Sequence, residues 1–126
     1  MLSRPGVTHD LPGEHALPDI VARAAVLVHF NDAEATAVTP LEAFSFGLPV
    51  VASDLPAFRE TLDGEATLLT PEDLADGTDT LADALATTLA SRTDEAARQR
   101  RRDLAGRYTW RRNAEATLAV WAGLLG

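Results

Sequence analysis

Residues 25–54 read AVLVHFNDAEATAVTPLEAFSFGLPVVASD, and their pattern gives the strongest indication of how the chain folds. Ala25–Phe30 is a continuous apolar run, as in the buried strands of parallel sheets. A loop over 31–38 follows, then a short helix that ends at Gly47, and Pro49–Ala52 is a second apolar run. Strand, loop, helix and strand in this order predict a βαβ unit with two parallel strands.

The flanking sequence continues this alternation. A third strand is predicted over Ala66–Leu69, after a turn at Asp63-Gly64, and residues 71–78 are predicted to be a polar connection. Apolar residues at helical spacing predict further helices over Leu17–Ala24, Leu55–Leu62, Asp79–Ala90, Asp94–Ala105 and Thr109–Leu125. We therefore expect an α/β fold, a partial doubly wound, Rossmann-like parallel sheet of about three strands with flanking helices and a helical C-terminal tail.

The length of 126 residues predicts a single domain, with residues 1–16 as a lead-in loop. Three strands form only a small sheet, so we expect the chain to begin in the middle of such a domain. Its apolar fraction of 46% is ordinary for a soluble protein, and no apolar run reaches the length of a bilayer span. Cysteine is absent, which excludes disulfides and thiol chemistry. We predict a cytoplasmic location, with a peripheral position on the inner membrane face left open.

The net charge of −8 is unevenly distributed along the chain. Residues 1–90 carry three Arg and 15 acidic residues, net −12, whereas residues 91–126 carry eight Arg and four acidic residues, net +4. An acidic body repels nucleic acid, so we expect no nucleic-acid partner. The arginines at positions 98, 100, 101 and 102 are expected to cover a solvated helix face near its C-terminus.

Two glutamates, Glu34 and Glu42, with seven residues between them, carry the candidate chemistry. Glu34 lies on a loop at the carboxyl end of a predicted parallel strand, which is where open α/β sheets bind ligands. The backbone N–H groups of 35–41, near a helix amino terminus, suit a diphosphate, and the carboxylates suit sugar hydroxyls. This layout favours a nucleotide-sugar site over a dinucleotide site, because the Gly-x-Gly-x-x-Gly fingerprint and the P-loop are both absent.

Simpler structural roles remain open for the same residues. Thr39-Pro-Leu-Glu42 predicts a capping box, with Thr39 as N-cap and Glu42 reaching back to it, which alone would explain Glu42. Glu34 is alternatively a solvated loop carboxylate. His29, in an apolar strand, fits a hydrogen-bonded core residue, and His9 and His15 lack the spacing of zinc ligands, so no metal site is predicted.

The ordered set of motifs around these glutamates resembles one enzyme family. Glu34-x7-Glu42 followed by AFSFGLPVVASD at 43–54 is similar to the signature of the retaining GT-B glycosyltransferases of family 4. The similarity continues through LPAFRE at 55–60, DGEATLLTP at 63–71 and YTW at 108–110. From about residue 17 onward, the chain looks like the second half of that family's C-terminal, donor-binding domain.

The resemblance implies specific roles. Glu34 would be the catalytic-site glutamate near the donor sugar, and Glu42 would accept hydrogen bonds from the ribose. The donor would also contact the segment between them, at Ala35, Thr36, Ala37, Val38, Thr39 and Leu41. The implied reaction transfers a hexosyl group from a UDP- or GDP-sugar with retention of configuration, with no cofactor and no obligatory metal.

Departures from the family pattern limit what the chain is expected to do alone. Ala35-Thr36-Ala37 replaces the usual Gly-Phe-Gly, and the family's basic pair and acceptor-binding N-terminal domain have no counterpart here. We therefore expect this chain to need that domain or a separate subunit for turnover. The alternatives are a degenerate, non-catalytic module for protein association, and a nucleotide-binding or regulatory α/β domain unrelated to sugar transfer. An exposed sheet edge would favour self-association.

Overall fold

A computed structural model describes residues 6–7, 16–75 and 77–126 of the chain. Three parallel strands form one sheet in the order β1 (Leu27–His29), β2 (Val50–Ser53) and β3 (Thr67–Leu69). The α/β fold with a three-stranded parallel sheet, flanking helices and a C-terminal helix is therefore confirmed. The predicted lead-in loop falls mostly outside the described residues, as do His9 and His15.

The helices of the described region lie close to their predicted positions, with one exception. Their bounds are α1 Leu17–Arg23, α2 Val38–Ser45, α3 Pro56–Leu62, α4 Pro71–Ala75, α5 Thr78–Ala90, α6 Glu95–Ala105 and α7 Trp110–Leu125. The exception is α4, because a polar connection was predicted there and that prediction is wrong. Thr70 and Asp73 form a capping box, in which Asp73 Oδ2 accepts from Thr70 N at 2.7 Å and Thr70 Oγ1 accepts from Asp73 N at 3.1 Å.

Both faces of the sheet are covered. Val50 and Ala52 point into the main apolar cluster, which also contains Phe44 of α2 and Phe58 of α3. Successive side chains of a strand point to opposite faces, so Val51 lies on the other side of the sheet. There Thr67, the strand partner of Val51, bonds across 3.0 Å to Thr88 of α5. The sheet therefore has α2 and α3 on one face and α5 on the other.

Helix α6 packs on α2 through the glycine that ends α2. Gly47 has φ +71°, a conformation that disfavours side chains, and a Cβ there would lie 3.2 Å from the backbone oxygen of Arg98. Arg101 is only 4% exposed, and its Nη1 donates to the Gly47 oxygen at 3.1 Å. Burial lowers the pKa of Arg101. The prediction of a solvated arginine face is therefore wrong for Arg101.

The neighbouring arginines form ion pairs. Arg100 Nε donates to Glu65 Oε1 at 2.7 Å, which joins α6 to the turn before β3, and Arg102 pairs with Glu95. The Glu65 carboxylate raises the pKa of Arg100, and Arg102 holds the pKa of Glu95 below its usual range. The Arg100–Glu65 pair joins the basic C-terminal part of the chain to its acidic body, whereas the Arg102–Glu95 pair lies within α6.

Two predicted helix caps are wrong. α2 begins at Val38, one residue before Thr39, and its N-cap Ala37 makes no side-chain cap bond. Ala37 is 1% exposed and belongs to the main apolar cluster, so the N-cap position of α2 is buried. The sequence likewise predicts that Ser53-Asp54 supplies cap oxygens for the helix over Leu55–Leu62, but the N-cap of α3 is Leu55, which makes no side-chain cap bond.

The last helix, α7, lies apart from the core. None of its residues is buried, and Trp110 and Leu125 are 84% and 87% exposed. The apolar stripe predicted from the sequence is therefore present but faces solvent. No helix in the described part of the chain is long and apolar enough to span a membrane.

Candidate functional site

The loop that follows β1 holds Glu34 beside two polar partners. The Asn31 side-chain amide donates to Glu34 Oε1 and lies 3.1 Å from His29 Nε2. His29 Nε2 is itself 3.4 Å from Glu34 Oε1. His29 is half-buried, and its ring packs on Phe58 with 5.8 Å between centroids. Glu34 is therefore oriented by neighbouring side chains, although 31% of its side chain stays exposed.

This cluster lies at the carboxyl end of the sheet. Asn31 N donates to Ser53 Oγ at 2.9 Å, which joins the loop after β1 to the end of β2. Asp54, the next residue, has its N–H bonded to Leu69 O of β3 at 2.8 Å. The ends of all three strands thus meet at one edge, where open parallel sheets bind their ligands.

Asp54 does not cap α3 but forms an ion pair with Arg59. Arg59 Nη2 donates to Asp54 Oδ2 at 2.7 Å, and a second bond joins Nε to Oδ1. Hydrogen bonding to Arg59 holds the pKa of Asp54 below its usual range, and the carboxylate raises the pKa of Arg59. Each charge is already matched within this pair, which leaves Asp54 less free to bind a ligand than Glu42.

An open groove of about 910 Å³ runs from the loop before α2 to the junction of α6 and α7. Six of the eight residues predicted to bind or act on a donor line it, namely Ala35, Thr36, Ala37, Val38, Leu41 and Glu42. The structure does not bring Glu34 or Thr39 into the lining. Glu34 directly precedes the lining residue Ala35 in sequence, but its side chain belongs to the separate polar cluster with Asn31 and His29.

The amino terminus of α2 forms part of the groove and is uncapped. Leu41 N makes the first helical bond, to Ala37 O at 2.9 Å. Within the described ranges, the N–H groups of Val38 and Thr39 have no hydrogen-bond acceptor. Unpaired N–H groups and the helix dipole make such a terminus attractive to an anion.

Glu42 is free for a ligand. The helix begins before Thr39, so Glu42 takes no part in a capping box, which removes the structural role weighed for it. Its side chain is exposed and lines the groove, and no residue of the described part of the chain donates a hydrogen bond to it.

A second part of the groove lining, outside the loop and α2, was not predicted. It comes from the junction of α6 and α7, including Arg107, Tyr108 and Arg112. Local periodicity gives no signal for this, because the junction lies more than sixty residues away in sequence from the loop that it faces. The Tyr108-Thr-Trp110 motif, already part of the resemblance, was the available clue.

No group of three His, Asp or Glu side chains within the described residues is close enough to hold a metal ion. The prediction that no metal is needed remains a prediction.

Comparison with known proteins gives one match. A model of the family described as glycosyl transferases group 1 matches residues 5–91. This span contains the three strands, both glutamates and the loop before α2. No curated protein and no solved structure matches the chain.

Proposed function

The chain belongs to the group 1 glycosyl transferases, and on this premise we propose that it binds the nucleotide-sugar donor of a hexosyl transfer. The observation that carries the proposal is the uncapped amino terminus of α2, which lines one groove together with the unpaired carboxylate of Glu42. The first suits phosphate oxygens, and the second suits the hydroxyls of a ribose.

The donor diphosphate would lie against the N–H groups of Val38, which lines the groove, and of Thr39, the next residue of the exposed helix terminus. Each can donate a hydrogen bond to a phosphate oxygen, and the dipole of α2 adds a partial positive charge of about half a unit. Ala35 and Ala37 replace glycines of the family pattern, but their side chains are the smallest that carry a Cβ. Because these side chains are small, a phosphate can still approach the backbone of this loop closely.

Glu34 would act next to the donor sugar. Its carboxylate is held by Asn31 and lies 3.4 Å from His29 Nε2, so its position is fixed before a ligand arrives. Preorganised charge is more effective than charge that must be ordered during the reaction. The resemblance to the retaining GT-B enzymes of family 4 supports this role.

The proposed reaction is a group transfer without a metal or cofactor. The bond between the anomeric carbon and the diphosphate breaks, and that carbon bonds to an acceptor hydroxyl with retained configuration. The hydroxyl proton leaves with the nucleoside diphosphate. We place the acceptor on a second domain or subunit, because the groove of this chain is already used by the donor.

Calorimetric titration with UDP-glucose and GDP-mannose tests the proposal. We expect at least one to bind, and Glu42→Gln to weaken that binding about tenfold or more, because a charged acceptor is lost. Glu72→Gln, on an exposed residue outside the groove, is the matched control and should bind as the wild type does. Absence of binding by the wild type, or equal affinity of the two variants, would overturn the proposal.

A second candidate function is protein association without catalysis. It is favoured by α7, whose large apolar side chains, including Trp121 and Leu124, are 60% and 79% exposed. Exposed apolar surface of this kind marks interaction sites. A chain that binds neither nucleotide sugar but forms concentration-dependent oligomers would favour this candidate over the first.

A further inference from the structure

The part of the groove lining that comes from the α6–α7 junction carries arginines. From their position we infer that Arg107 and Arg112 bind the diphosphate of the donor. This inference rests on the proposed function and adds to it the positively charged side chains that bind the phosphates of the donor. Both residues lie beyond the region matched by the family model, which ends at residue 91. Their role therefore follows from the fold of this chain rather than from the match.

The two arginines are held close together by the α6–α7 junction. Arg112 Nη1 donates to the backbone oxygen of Arg107 at 3.3 Å. Thr109 caps α7 by accepting from Arg112 N at 3.2 Å, and Tyr108 N bonds to Ala105 O at 3.0 Å. These local bonds fix the backbone that carries both guanidinium groups along one side of the groove.

Both guanidinium groups are available to a ligand. Arg107 Nη1 lies 3.6 Å from Asp63 Oδ2, and the two side chains are 62% and 70% exposed. An ion pair so long and so exposed contributes little, so a phosphate can replace the carboxylate. Arg112 has no carboxylate within salt-bridge distance in the described ranges. Arg102 also lines the groove but already pairs with Glu95 and Gln99.

A diphosphate bound in the groove would need positively charged groups to balance its negative charge. Glu42 and Glu60 line it, and a diphosphate would add further negative charge. The dipole of α2 offers only about half a positive charge in return. Two guanidinium groups supply the difference, and their planar forks match pairs of phosphate oxygens. A nucleoside without phosphate would make none of these contacts.

A local structural role is the competing explanation. Arg107 would then serve only to pair with Asp63, and Arg112 only to bond the Arg107 carbonyl. Such a role predicts a change in folding stability without a change in the preference for diphosphates. The two explanations therefore differ in a ligand-binding measurement.

The test is calorimetry with UDP and GDP, and with uridine and guanosine, on the full chain. We expect Arg107→Gln/Arg112→Gln to weaken binding of the preferred diphosphate about 10- to 100-fold and to leave binding of its nucleoside unchanged. The salt dependence of diphosphate binding should also become weaker. Arg100→Gln, which removes an exposed arginine outside the groove lining, is the control and should change neither.

A second variant covers the case in which the double variant does not fold. Asp63→Asn frees Arg107 from its carboxylate and should strengthen diphosphate binding by a few-fold. Unchanged diphosphate affinity in the double variant, or in Asp63→Asn where the double variant does not fold, would overturn the inference while leaving the proposed function intact. No binding of UDP or GDP by the wild type would instead contradict the proposed function and the inference with it.

Discussion

Gly47 ends α2 through its backbone conformation and also lies at the closest approach of α6. It has φ +71°, which ends α2, and α6 lies so close that a Cβ would meet Arg102 Nη1 at 2.9 Å. Gly64 has a similar φ of +75°, but a Cβ there would have no neighbour within 4 Å. Substitutions at the two glycines therefore distinguish the free-energy cost of the left-handed backbone from the added cost of steric crowding by α6.

We expect Gly47→Ala to destabilise the fold more than Gly64→Ala does. Both substitutions place a side chain in the left-handed region, at a cost of about 1–2 kcal/mol. Only Gly47→Ala also forces α6 away from α2, which adds about 1–3 kcal/mol. Urea unfolding of the two variants measures the difference, and equal losses would show that α6 does not pack on α2 as described.

At the scale of the helix, similar sequence patterns at α2 and α4 have different outcomes. Thr39-Pro-Leu-Glu42 predicts a capping box that the structure lacks, and Thr70-Pro-Glu-Asp73 forms one that was not predicted. Thr39 is the second residue of α2 and so does not occupy the N-cap position. Thr70 directly precedes α4, so its side chain reaches the first turn.

Substitution of the two threonines tests this difference. Thr70→Ala should destabilise the protein by about 1 kcal/mol, because the N–H of Asp73 loses its acceptor. Thr39→Ala should change stability by less than about 0.5 kcal/mol. The midpoints of urea unfolding of both variants measure these changes in stability. A larger loss of stability for Thr39→Ala than for Thr70→Ala would indicate that α2 begins at the position predicted from the sequence.

At the scale of the whole molecule, most of the chain forms one packed unit and α7 does not. α6 buries Ala97, Arg101 and Leu104, whereas none of the residues of α7 is buried. An unsupported helix of this length is only marginally stable in water, because most helix stability in proteins comes from packing. The free energy of opening should therefore be much lower in α7 than in α6.

Hydrogen exchange monitored by mass spectrometry checks this expectation. At low protein concentration, amides of α7 should be protected at least tenfold less than those of α6. If the exposed apolar side chains of α7 mediate self-association, its protection should rise with concentration while that of α6 stays constant. Both tryptophans lie in α7, so their fluorescence gives a second measurement of the same change. Equal protection of the two helices at all concentrations would contradict the exposed position of α7.

Prediction from sequence succeeded at the strands and at the end of α2, where the physical cause is local, but it missed the local capping box of α4. The strands near Leu27, Val50 and Leu68 follow from apolar runs, and the end of α2 at Gly47 follows from the freedom of glycine. It failed at Arg101, because a guanidinium in a run of arginines gives no local sign that it will be buried. The groove residues Ala35–Val38 and Leu41 could be proposed from the loop, but the lining contributed by the α6–α7 junction could not.

The order of the strands, the parallel sheet and the family of the chain follow from the sequence alone, because periodicity, turn residues and motif spacing act over a few residues. Tertiary packing buries Arg101 and brings Arg107, Arg112 and Glu42 into the lining of one groove. These features depend on contacts between segments far apart in the chain, such as the bond from Arg101 to Gly47. Packing of α6 on α2 creates those contacts, and no local pattern encodes them.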